Sequence, residues 1–208
     1  EFEKDYHDLN PNELIYTIWT KPKLTLKYIL DLCPEKYVIL FLVLGGIVRA
    51  INKAAEKGMG DNMSTISVLA ITILAGGLFG WISYFIYAWA MSATGNWIDG
   101  EAEPEKFRTV LAWSLVPTIA SLLLLIPELI LLGDDLFRTE PLDESMFKGI
   151  SWIVFGVLEL TLGIWSLVIL VIGVKLIQGF NTGKAILNVF LPVLVIAIPI
   201  ILLVVAFS

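Results

Sequence analysis

Residues 110–133 read VLAWSLVPTIASLLLLIPELILLG, an apolar run broken by a single charged side chain, Glu128. A helix needs about 20 residues to cross a hydrocarbon core, and this run is long enough. Four more runs of the same character occupy residues 37–55, 65–91, 150–177 and 185–207. In water, that much unrelieved apolar surface would aggregate. In lipid, a helix that satisfies its own backbone groups is what spans. Composition agrees, with 57% hydrophobic and only 16% charged residues and a mean hydropathy of +0.82, against about 25% charged residues in soluble domains. The expected fold is an all-α integral membrane protein. Five transmembrane helices fill residues 37–208, preceded by an N-terminal segment, residues 1–36, holding one or two amphipathic interfacial helices.

Composition also excludes several classes. A formal net charge of −6 argues against a nucleic-acid partner, which calls for a basic face. Cys33 is the only cysteine, so neither an internal disulfide nor a thiolate metal cluster is expected. The first 36 residues hold several acids and no continuous apolar core, so no cleavable leader is expected there. With 208 residues and short connections, there is room for one bundle and no separate soluble domain.

Five spans place the two ends of the chain on opposite sides. Of the 14 basic residues, nine fall on the side of the N-terminal segment and five on the other, the latter being Arg49, Lys53, Lys57, Arg138 and Lys148. The positive-inside rule then predicts a cytoplasmic N-terminus and an external or lumenal C-terminus.

The N-terminal segment carries helix signals. Asn10-Pro11-Asn12-Glu13 supplies an N-cap, a first-turn proline and a third-position glutamate. Leu14, Ile15, Ile18 and Trp19 follow on one face. A second start comes at Thr20-Lys21-Pro22, after which Lys23, Lys27 and Asp31 form a narrow polar stripe. Such helices lie among headgroups with lysines in water and aromatics at the boundary. Trp19, Lys23 and Lys27 are the candidate interfacial anchor, and the segment reads either as a docking surface for a protein partner or as a support for the first span.

Three stretches, in order, carry a family resemblance. The first is Ile18-Trp19-Thr20-Lys21-Pro22-Lys23-Leu24-Thr25-Leu26. The second runs from Gly76-Gly77-Leu78-Phe79-Gly80 to Phe107-Arg108-Thr109-Val110-Leu111-Ala112-Trp113-Ser114-Leu115-Val116-Pro117. The third is Trp165-Ser166-Leu167 through Gly173 to Thr182-Gly183-Lys184-Ala185. Together they resemble the Yip-domain family, five-span membrane proteins named for interaction with Ypt/Rab GTPases. The resemblance implies a non-enzymatic scaffold or adaptor with a trafficking- or membrane-organising role. The short N-terminal segment and the lack of an Asp-Leu-Tyr-Gly-Pro motif place the likeness with the prokaryotic branch, which implies a prokaryotic inner or plasma membrane and no Rab partner.

Charges inside apolar runs are costly unless paired or wet. Arg49 lies toward the outer end of the first run, Glu128 near the outer end of the third, and Glu159 well inside the fourth. A guanidinium shared between two carboxylates would satisfy all three. Two readings stand: an outward-opening polar cavity that takes up a cation or protons, as in a small permease, channel or transporter, or an ion-pair cluster that fixes helix registry.

Other motifs fail as sites. Residues 133–148 hold Asp134, Asp135, Glu140, Asp143 and Glu144 without the order of a calcium loop, and read as an ordinary solvated loop. Residues 179–185 lack the spacing and the Ser/Thr of a phosphate loop and read as a tight turn. His7 is the lone histidine, so zinc chemistry and a serine–histidine pair are not expected. No catalytic residue, cofactor or metal site is expected. Gly76 and Gly80 form a Gly-x-x-x-Gly pair suited to close helix packing, within the chain or between copies. Pro117, Pro127, Pro192 and Pro199 interrupt the third and fifth runs and are expected to bend them. Trp97 and Trp152 suit interfacial belts. Beyond the bilayer, the expected partner surface is the N-terminal segment, and a homo-oligomer is compatible with the glycine pair.

Overall fold

A computed structural model of the chain describes residues 6, 9–142 and 145–206. His7, Asp143 and Glu144 lie outside the described residues. The described elements are helical throughout, in the order α1 (Leu14–Thr20), α2 (Pro22–Leu32), α3 (Val38–Glu56), α4 (Thr65–Ala75), a π-helical turn (Gly76–Gly80), α5 (Trp81–Gly95), α6 (Pro104–Ser114), α7 (Val116–Leu131), α8 (Met146–Gln178) and α9 (Thr182–Ala206). Five stretches are long and apolar enough to cross a membrane: Val38–Glu56, Thr65–Ile98, Pro104–Leu131, Met146–Gln178 and Thr182–Pro199. The protein is an all-α integral membrane protein with five spanning helices.

Several boundaries differ from those read off hydropathy, each for a local reason. The third span begins at Pro104 because proline is at home in the first turn of a helix. The added turn is polar, closed by a 2.9 Å Arg108–Glu105 pair. Pro117 does not bend that span from within. It falls in the first turn of α7, after a break at Leu115, so the span is two helices end to end. The amide of Thr118, orphaned at that new start, donates to Ser166 Oγ at 3.1 Å. Near the N-terminus, Asn10 does not cap α1. Its Oδ1 accepts from the Asn12 amide at 3.1 Å, a local turn that Asn favours, and the helix starts later, at Leu14. Pro22 opens α2 as the sequence indicates.

The chain divides into two compact units. One comprises residues 1–36, 84–114 and 168–208. Its core gathers Ala88, Met91, Phe107, Val110, Leu111, Val174 and Ala185, and Leu14, Ile18, Leu26 and Ile29 of α1 and α2 are also buried. Gly173 is forced by packing, since a Cβ there would lie 2.2 Å from Val110 Cγ1. A buried amide network closes the same unit. Gln178 Oε1 accepts from the Glu101 and Ala102 amides, each at 2.9 Å, and Asn188 Nδ2, fully buried, donates to the Met91 carbonyl at 2.8 Å. The turn after α8 is tight, with Gly179 at φ +66, and Lys184 reaches Asp99 at 2.9 Å.

The other unit comprises residues 37–83 and 115–167, with Ile51, Ala54, Val68, Leu132, Leu136 and Phe137 as its core. Its two connecting segments fold onto each other. Thr65 Oγ1 donates to Asp134, Arg138 Nη1 donates to the Gly60 carbonyl at 3.3 Å, and the Thr139 amide donates to Asp61 at 3.2 Å. The acidic segment is therefore not an ordinary solvated loop. Asp135 is 2% exposed and pairs with Lys148 at 2.6 Å, because a carboxylate taken out of water needs a cation and hydrogen-bond donors at hand.

Candidate functional site

The second unit encloses a part-open cavity of about 330 Å³. Helical spacing decides who lines it. Val48, Ile51, Asn52, Ala55 and Glu56 share one stripe of α3, Ser121, Leu122, Leu125 and Glu128 one stripe of α7, and Trp152, Phe155, Gly156 and Glu159 one stripe of α8. Each set follows the three-and-four spacing that puts residues on one helix face. Leu132, Leu136 and Phe137, from the end of α7 and the segment after it, complete the wall.

Glu128 and Glu159 thus meet in one chamber. Glu128 is 5% exposed and Glu159 is half-buried. Among the described residues, neither side-chain carboxylate has a hydrogen-bond or salt-bridge partner. Glu159 lies about 20 Å along α8 from Met146, at roughly 1.5 Å per residue.

Arg49 does not join them. It is exposed, and its Nη1 donates to Ser83 Oγ at 2.7 Å, while Ser83 Oγ donates in turn to the Gly80 carbonyl at 2.8 Å. One residue on a helix is a 100° turn, so Arg49 leaves the stripe to which Val48 and Asn52 belong. No basic side chain is among those lining the cavity. Sequence reasoning missed Asn52 and Glu56. Their signal was available, since Asn52 is four residues after Val48 and Glu56 four after Asn52.

Gly76 and Gly80 face α3. A Cβ on Gly76 would sit 2.7 Å from Ile47 Cα, and one on Gly80 2.4 Å from Gly46 Cα. The pair is occupied by Gly46 of the same chain. The π-helical turn that holds it widens the helix by one residue per turn, a distortion that recurs at functional positions.

Trp19, Lys23 and Lys27 lie on α1 and α2, in the first unit. Lys23 is exposed, Trp19 and Lys27 half-buried, and the Lys27 ammonium stands 5.6 Å from the Tyr6 ring centroid. Three bonds fasten this segment. Thr109 Oγ1 donates to the Pro34 carbonyl at 3.0 Å, Trp113 Nε1 to the Lys36 carbonyl at 3.0 Å, and Lys36 Nζ to the Pro11 carbonyl at 3.0 Å. Cys33, next to Pro34, has its thiol pushed up from the ordinary value by burial, which outweighs the opposing pull of the Lys36 charge.

Among the described residues, no three His, Cys, Asp or Glu side chains converge as a metal site would require. Comparison with the curated proteins and with solved structures gave no match. The family model described as the Yip1 domain matches residues 16–204, which takes in all five spans, α2 and most of α1. The chain belongs to the Yip1-domain family.

Proposed function

We propose that this protein is a non-enzymatic scaffold or adaptor of the bilayer, with a membrane-organising role, whose partner meets the N-terminal helices on the cytoplasmic side. The observation that carries the reading is how residues 9–36 are built. Leu14, Ile18, Leu26 and Ile29 are buried, and the three bonds to Pro11, Pro34 and Lys36 hold the helices in one place. Tyr16, at 74% exposure, stands out beside exposed Glu13, Lys21 and Lys23. A simple anchor needs no such fixed polar face. The nine-to-five division of basic residues supports the cytoplasmic side, and the sequence motifs support the prokaryotic branch of the family.

A photo-crosslinking amino acid at Tyr16, in native membranes, tests this. Discrete adducts with one protein are expected, and they should disappear when Lys23 is replaced by glutamate. Adducts with lipid alone would reduce the segment to an anchor.

The cavity favours a second reading, a small permease or ion-handling protein. It predicts that a cysteine replacing Glu159, with Cys33→Ser, is labelled rapidly by a membrane-impermeant thiol reagent. Protection of that cysteine, with labelling at a control cysteine replacing Thr139, would reject an aqueous path.

A further inference from the structure

We propose that the cavity between α3, α7 and α8 is a binding site for an organic ammonium ion, with Glu128 and Glu159 as its counter-ions. The site does not depend on the scaffold reading, and it stands whether or not the ligand is carried across the membrane.

The first argument is an imbalance of charge. Glu128 is 5% exposed, lines the cavity and its carboxylate has no partner among the described residues. A buried carboxylate in that position costs several kcal/mol until a cation or donor meets it. None of the unit's five basic residues lines the cavity: Arg49 bonds Ser83, Lys148 pairs with Asp135, Arg138 reaches Gly60 and Asp61, and Lys53 and Lys57 are exposed. No side chain of the wall supplies a compensating charge, so a proton or a cation from outside has to, and a cavity beside the carboxylate gives a cation room.

The second argument chooses the cation. A divalent metal wants six or more oxygen ligands. Glu56, Glu128 and Glu159 all line the cavity, but among the described residues no three acids converge as a metal would need, and Leu125, Leu136, Phe137, Trp152 and Phe155 make most of the wall carbon. Aromatic rings beside carboxylates are what an alkylated ammonium is recognised by, through its charge and its carbon shell together. The volume of about 330 Å³ falls at the small end of ligand pockets, about 300–1,000 Å³. It suits a headgroup-sized amine. A free amine and the ammonium headgroup of a lipid share this chemistry.

The test uses the full chain in maltoside micelles, which contain no ammonium group, with choline as the probe and 3,3-dimethylbutan-1-ol as its uncharged carbon isostere. Calorimetry should show saturable binding of choline and about tenfold or weaker binding of the isostere, the equivalent of about 1.4 kcal/mol. Glu128→Gln and Glu159→Gln should each weaken choline by a similar factor. Glu128→Gln should also keep or raise the melting temperature, since it removes an uncompensated charge, so lost binding there is not lost folding. Arg49→Gln, outside the cavity, should leave choline affinity unchanged. Adding phosphatidylcholine to the micelles separates the sources: competition identifies a lipid headgroup, and its absence a free amine. Equal binding of choline and the isostere, full choline affinity in Glu128→Gln, or no saturable choline binding would overturn the proposal.

Discussion

Replacing Gly80 by alanine should leave little folded protein. The new Cβ would lie 2.4 Å from Gly46 Cα, 2.9 Å from Gly46 C and 3.0 Å from Gly46 O. All three are backbone atoms, so no rotamer relieves the clash. Carbon pairs rest at about 3.5–4.0 Å, so α3 and the π-helical turn would have to part by more than 1 Å. They touch there through glycine on both sides, since a Cβ on Gly46 would in turn meet Gly76 O at 2.7 Å. Opening the seam would also loosen Ser83, which bonds the Gly80 carbonyl and receives Arg49.

Magnitudes decide the sign. Alanine gains about 1 kcal/mol over glycine in helix propensity, whereas overpacking against a fixed backbone costs up to about 3 kcal/mol, occasionally more. Destabilisation wins. Gly77→Ala is the internal control, because its nearest neighbour would be Ile47 Cδ1 at an ordinary 3.8 Å. Size-exclusion profiles and melting temperatures in micelles should show Gly80→Ala aggregated or strongly destabilised and Gly77→Ala close to the parent. Similar behaviour of the two variants would be evidence against the backbone seam.

The five spans and the glycine seam are legible in the sequence for the same reason. Lipid allows few ways to satisfy a backbone, so a long apolar run has one meaning, and small residues four apart have few uses other than close approach. Glu128 and Glu159 stand out as charges where charge is costly. Arg49 was equally visible but went to another face, since a one-residue offset rotates a side chain by 100° and proximity along the chain does not reveal direction. Asp135 was hidden by company. It sits among acids in a polar segment, and only the folded segment brings Lys148 to it while leaving Asp134 exposed. Asn188 and Gln178 were hidden the other way, as uncharged amides in long helices, although a polar amide in an apolar run was a signal that its partners would be backbone groups of a neighbouring segment.

Asp135→Ala is expected to destabilise the second unit by roughly 3 kcal/mol, in the range for breaking a buried pair from one side, at its lower end because Lys148 keeps 24% side-chain exposure and can turn to water. The substitution also strips the Leu142 amide of its acceptor, now 2.7 Å away. The same geometry fixes the pH dependence. Burial alone would push the Asp135 carboxyl up, but the Lys148 hydrogen bond, the Leu142 amide and the charges of Lys148 and Arg138 together hold it below the ordinary carboxylate value. Asp61 is held low as well, chiefly by its hydrogen bond with Thr139. A carboxyl depressed in the folded state contributes stability that is complete above its unfolded value, about 3.9, and is lost as pH falls through the folded one. The parent protein should therefore lose melting temperature below about pH 4, and Asp135→Asn, which keeps an acceptor for Leu142 without the titrating charge, should melt lower at neutral pH yet fall less steeply in acid. Leu136 and Phe137 follow Asp135 directly and form part of the cavity wall, so a segment released by Asp135→Ala should also bind choline more weakly at pH 7. If choline affinity survives while the melting temperature drops, the segment stabilises the unit without shaping the cavity.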